Sequence, residues 1–74
     1  MSSIHLQGIG RVKAKPAQEF RVGDYMGWDY GGVSKVVGIA KETAKTITFL
    51  VLCSDGQVYE RRMKKTRLVA VAAN

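Results

Sequence analysis

One cysteine, one proline, one histidine and only six acidic residues set the first limits on this chain of 74 residues. A lone Cys53 cannot close an internal disulfide, so nothing points to an oxidising compartment. One cysteine and one histidine without ligand spacing exclude a four-ligand structural zinc site, and no metal or other cofactor is expected. No apolar run approaches the roughly 20 residues of a membrane helix. The N-terminal segment also lacks the continuous apolar stretch of a signal peptide. These shortages predict a cytoplasmic chain with no membrane partner. The scarcity of acid against twelve Lys and Arg leaves a net charge of +6. That sign favours acidic partners such as nucleic acid, an acidic protein face or anionic lipid, although it also lies within the ordinary range for a small soluble domain.

What is present is a 46% hydrophobic content in a chain short enough for one domain with a single small core. Residues 1–19 carry the weakest pattern. Gly8 and Gly10 interrupt any regular element, and Ile4, Leu6, Ile9 and Val12 suit a short strand or a wrapped arm. Lys15 precedes Pro16 and is pushed toward extended backbone. Ala17 to Phe20 then suits a single turn, with Phe20 as a core anchor. Arg21-Val22-Gly23-Asp24 reads as a turn into an aromatic strand over Tyr25–Trp28. In Asp29-Tyr30-Gly31-Gly32 the two glycines are free to take positive φ. Val33–Lys41 is rich in β-branched residues, with Val33, Val37 and Ile39 assigned to one face at period two. Thr46–Cys53 has the cleanest alternation: Ile47, Phe49, Val51 and Cys53 form a core face, and the opposite face ends in Leu50 and Leu52. Asp55-Gly56 marks a hairpin turn into Val58–Lys64. Leu68–Val71 closes the pattern before a frayed end at 72–74. Helix is the alternative for Val36–Ala44 and Leu68–Ala73, but both lack a capping box and are short.

The order of these elements resembles an SH3-like barrel. Phe20-Arg21-Val22-Gly23-Asp24-Tyr25-Met26 is similar to the hydrophobic-x-V-G-D-x-hydrophobic lead-in common in such barrels. Gly32-Val33-Ser34-Lys35-Val36-Val37-Gly38-Ile39 resembles the G-x-V-x-x-V/I strand of KOW-type modules. The turn at Lys64–Arg67 is similar to the single-turn element before their last strand. The match covers residues 20–71, and the whole pattern also resembles short uncharacterised proteins encoded by bacterial viruses, whose setting would be the host cytoplasm. The resemblance implies an all-β chain: a loosely ordered N-terminal arm or extra strand over 1–19, then a five-stranded antiparallel SH3-like barrel over 20–74.

Catalysis finds no support in the residues. His5 sits in the weakly patterned arm with no acid beside it, and burial of Cys53 would raise its thiol pKa rather than activate it. The G-x-G at Gly8 and Gly10 lacks the strand–helix setting of a nucleotide loop. The expectation is therefore a non-enzymatic binding module.

Five cations in the run Glu60–Arg67 supply the strongest surface signal. Arg61, Arg62, Lys64, Lys65 and Arg67, helped by Lys35 and Tyr30, are the residues expected to engage RNA or DNA through phosphate pairing. Strand alternation divides them between two faces, and the competing account is that they only solvate a strand edge and deter pairing with other chains. Trp28 is assigned to the core and Tyr30 to the surface, where aromatics can stack on unpaired bases. They could equally line a peptide groove or a cation cage. The alternative function is a protein-interaction module, either an accessory protein of bacterial-virus type or a self-associating barrel, docking through Leu50 and Leu52.

Overall fold

Ile47, Phe49 and Val51 all turn inward from one strand, and the rest of the chain is arranged to cover them. The computed structural model describes residues 2–72. It has strands β1 (Ser2–Leu6), β2 (Gly10–Pro16), β3 (Tyr25–Gly27), β4 (Val33–Glu42), β5 (Thr46–Leu52), β6 (Val58–Lys64) and β7 (Leu68–Val71). Two short 3-10 turns occupy Ala17–Glu19 and Asp29–Gly31. All pairings are antiparallel, and the strands form one sheet in the order β1-β2-β7-β3-β4-β5-β6.

The all-β expectation holds, and the five expected strands are β3 to β7. The strand count and the arm are corrected. Residues 2–16 form a hairpin of two further strands in the same sheet, where a loose arm or one strand was expected. The segments with a helical alternative are strand over Val36–Glu42 and Leu68–Val71. Ala73 and Asn74, the end of the expected frayed segment, lie outside the described residues.

The sheet bends but is not closed by hydrogen bonds, because β6 and β7 are not paired. The bend follows from chain length. Three residues join β6 to β7, so Lys64 and Leu68 can be at most about 14 Å apart. In a flat sheet β7 and β6 would lie four strand spacings apart, roughly 19 Å. β4 contributes to the bend, because its register against β5 slips between Val36 and Gly38 and again between Ile39 and Lys41. Each slip inserts an extra residue and bends the strand.

The face assigned to β4 is also overturned. Val33, Val37 and Ile39 are exposed, whereas Ser34 and Val36 point inward. Apolar residues occupy both parities of this strand, so period two could not choose between them. Ser34 tolerates burial because its hydroxyl accepts a hydrogen bond from Trp28 Nε1 at 3.0 Å. Phe20 is a core anchor as expected, meeting Phe49 edge-on at 6.5 Å between ring centroids.

The turn at Arg21–Asp24 is held by one carboxylate oxygen. Asp24 Oδ2 accepts from Arg21 N at 2.9 Å and from Lys15 Nζ at 3.1 Å. In the next turn, positive φ falls on Tyr30 (60°) and Gly31 (84°), not on the two glycines. Tyr30 is held in that conformation by hydrogen bonds to the β1–β2 turn. Its N–H donates to the Gln7 carbonyl at 2.7 Å and its hydroxyl to Gln7 Oε1 at 3.2 Å.

Candidate nucleic-acid interface

β6 pairs only with β5, so its other side is a free sheet edge. Register places Arg61 opposite Phe49 and Met63 opposite Ile47, on the inward face. Arg62 and Lys64 lie opposite Thr48 and Thr46, on the outward face. Met63 is buried, but Arg61 is exposed although it shares that inward face. The following turn is fastened on two sides. Ala17 N donates to the Arg67 carbonyl at 2.8 Å, Gln18 N to the Lys65 carbonyl at 3.1 Å, and Lys65 N to the Lys45 carbonyl at 2.9 Å. Arg67 thus leaves a fixed backbone.

Arg61 and Arg67 both approach Trp28. The two guanidinium carbons stand 5.4 Å and 6.0 Å from the indole ring, within cation–π range. Trp28 was assigned to the core; it is half-buried, packing against the core from the end of β3. The indole is oriented by its hydrogen bond to Ser34, whose Oγ lies 3.4 Å from Cys53 Sγ. Beside it, Ile4, His5, Asp29, Arg67 and Leu68 help line a hollow of about 220 Å³. This tryptophan is the functional candidate the sequence reading missed. Its position as the last residue before the Asp29–Gly31 turn is the signal that could have found it, since a strand end seldom buries a whole indole.

The other expected residues fall elsewhere. Arg62 joins Lys41, Thr43, Thr46 and Thr48 around a small cavity of about 120 Å³ on the outward face. Lys64 and Lys65 border a larger hollow of about 450 Å³ with Lys45 and Gln18. Lys65 Nζ is paired with Glu42 Oε2 at 2.7 Å. Lys35 lies on β4, 5.9 Å from the Tyr25 ring, and Tyr30 is committed to the β1–β2 turn. Structure therefore joins Arg61 with Arg67, and Lys64 with Lys65, but not Lys35 or Tyr30 with either pair. Leu50 is half-buried across from Gly38, and Leu52 is exposed opposite Lys35 and Val58. The N-terminal strands do not cover these leucines, because they attach at β7, on the far side of β3 and β4.

Tyr59 is also committed. Its hydroxyl donates to Asp55 Oδ2 at 2.6 Å, and Asp55 Oδ1 accepts from Gln57 N at 2.9 Å. The tyrosine hydrogen bond, followed by the backbone one, lowers the Asp55 pKa, and the same carboxylate raises that of Tyr59. Gly56, at φ 80°, completes this hairpin turn, a conformation strained for any residue with a Cβ. No hydrogen bond joins His5 to Cys53 among the described residues, and no three metal-ligating side chains cluster there. Nor is any helix among them long and apolar enough to cross a membrane.

Comparison with protein families, with curated proteins and with solved structures returned no match to this chain.

Proposed function

We propose that this chain is a non-enzymatic nucleic-acid-binding module of SH3-like type that works in the cytoplasm, the host's if a bacterial virus encodes it. The strand order β7-β3-β4-β5-β6 supports the SH3-like part. It is a five-strand meander whose last member returns to pair with the first, leaving a seam between β6 and β7. The observation that carries the binding reading is the state of the cations. Among the described residues, Arg61, Arg62, Lys64 and Arg67 are exposed and free of ion pairs, and only Lys65 of the cluster is neutralised. Edge protection alone does not account for them. The other free edge, β1, reads Ser-Ser-Ile-His-Leu and carries no Lys, Arg, Asp or Glu.

Phosphates of RNA or DNA are the polyanions that such a rim suits, through counterion release. Contacts from those four side chains would make affinity fall on the order of 100-fold between about 50 and 200 mM salt. Labelled single- and double-stranded oligonucleotides titrated at both salt concentrations test this. An absence of binding at low salt would retire the proposal.

A protein-interaction role is the second reading. It is favoured by the exposure of Val37, Ile39, Leu52 and Val58, with Leu50 and Leu52 at its centre. It would show as self-association insensitive to salt in sedimentation.

A further inference from the structure

We propose that Trp28, approached by both Arg61 and Arg67, is a stacking platform for one unpaired nucleobase, so that the chain prefers single-stranded nucleic acid to duplex. The inference rests on the nucleic-acid reading and specifies its ligand. Phosphate pairing needs only exposed cations, and Arg62 and Lys64 on the outward face meet that need without any aromatic partner. The seam is built differently. Arg61 comes from the end of the sheet and Arg67 from the turn before β7, yet both reach the same indole.

The indole is oriented by the hydrogen bond from its Nε1 to Ser34 and by its packing against the core. Its face is therefore preorganised, and a ligand ring that stacks on it need not order it. The arginine side chains are long and exposed. They can leave the indole for the phosphates flanking a bound base, exchanging a cation–π contact for a charge-assisted hydrogen bond. The adjoining hollow of about 220 Å³ is smaller than a pocket for a drug-sized ligand. It suits one planar ring better than a whole ligand of that size. A duplex keeps every base face but those of its terminal pairs inside its own stack, whereas an unpaired strand can offer each of its bases to the indole.

Trp28 is the sole tryptophan, so its fluorescence reports the site directly. The test titrates the wild-type protein at low salt with three labelled probes of equal length: a single strand, its blunt duplex, and a strand with abasic positions throughout. Anisotropy of the label gives affinity, and tryptophan emission gives occupancy of the platform. The expected result is tryptophan quenching by the single strand alone, with affinity roughly tenfold above that for the duplex and the abasic strand. Equal affinity for all three probes, or emission that does not distinguish them, overturns the stacking inference and leaves phosphate binding in place. Failure of every probe to bind overturns both.

Discussion

The N-terminal hairpin and the five-strand meander belong to one sheet but are held in it by different forces. The main core is assembled from Ala17, Phe20, Met26, Val36, Ile47, Phe49, Val51, Met63 and Val69, with no member from β1 or β2. The hairpin buries only Leu6 and Ala14. It is attached by a three-pair ladder from Ala14, Lys15 and Pro16 to β7, by the Lys15–Asp24 ion pair, and by a polar clasp at its turn. In that clasp Gln7 N donates to Asp29 Oδ1 at 2.8 Å while Tyr30 bonds back to Gln7. Such contacts are each worth about 1 kcal/mol, whereas burial of one large side chain contributes about 2. The meander should therefore be the stable unit and the hairpin the part that opens first.

Core truncation separates the two regions most sharply. Phe49 is fully buried at the centre of the meander, and Phe49→Ala should cost about 3–5 kcal/mol. That approaches the whole stability of a domain of this size, so the cooperative urea transition should be lost. Leu6→Ala, at the hairpin's own apolar contact, should cost about 2 kcal/mol and keep the transition. Equal losses would make the hairpin an integral part of the core.

A subtler break is available at Gly8. Its φ is +78°, and an added Cβ would lie 2.7 Å from Tyr30 Cδ1. The left-handed conformation alone costs a residue with a Cβ about 1–2 kcal/mol. Gly8→Ala should therefore destabilise by about 2 kcal/mol and loosen the clasp. Hydrogen exchange should speed up in β1 and β2 while β4 and β5 keep their protection. Uniform acceleration would mean that the two regions open as one unit.

The same contrast explains what could be read in advance. β5 alternates cleanly over Ile47, Phe49 and Val51 because one of its faces is core. Its neighbour β6 follows from the Asp55-Gly56 turn. The hairpin gave no such signal: only Leu6 and Ala14 of its residues are buried, and Gly8 and Gly10 look like interruptions although they build its turn. β4 was located correctly but faced wrongly, since apolar residues occupy both of its parities and Ser34, a polar residue, takes one of the inward positions. Arg61 and Arg67 were legible as cations. Their shared approach to Trp28 was not, because it depends on a sheet bending until both strand β6 and the turn before β7 come near residue 28.

The ion pair between the regions yields the smallest predicted effect. Asp24 has its pKa lowered from the ordinary 3.8, first by the Arg21 backbone hydrogen bond and then by that from Lys15. The carboxylate is bound in the folded state, so its contribution is complete above the unfolded pKa and is lost as pH falls through the folded one. The window lies below about pH 4. The side chains of Lys15 and Asp24 remain 30% and 37% exposed, and solvent screens the pair. Asp24→Asn should therefore cost only about 1 kcal/mol at neutral pH. Asp55 is also lowered and contributes its own acid dependence, so the informative quantity is the difference between wild type and variant. Urea midpoints measured from pH 7 down to about pH 2.5 should converge as Asp24 protonates. A constant gap across that range would mean that the charge of Asp24 does not fasten the hairpin to the meander, leaving its attachment to the β2–β7 ladder and the Gln7 clasp.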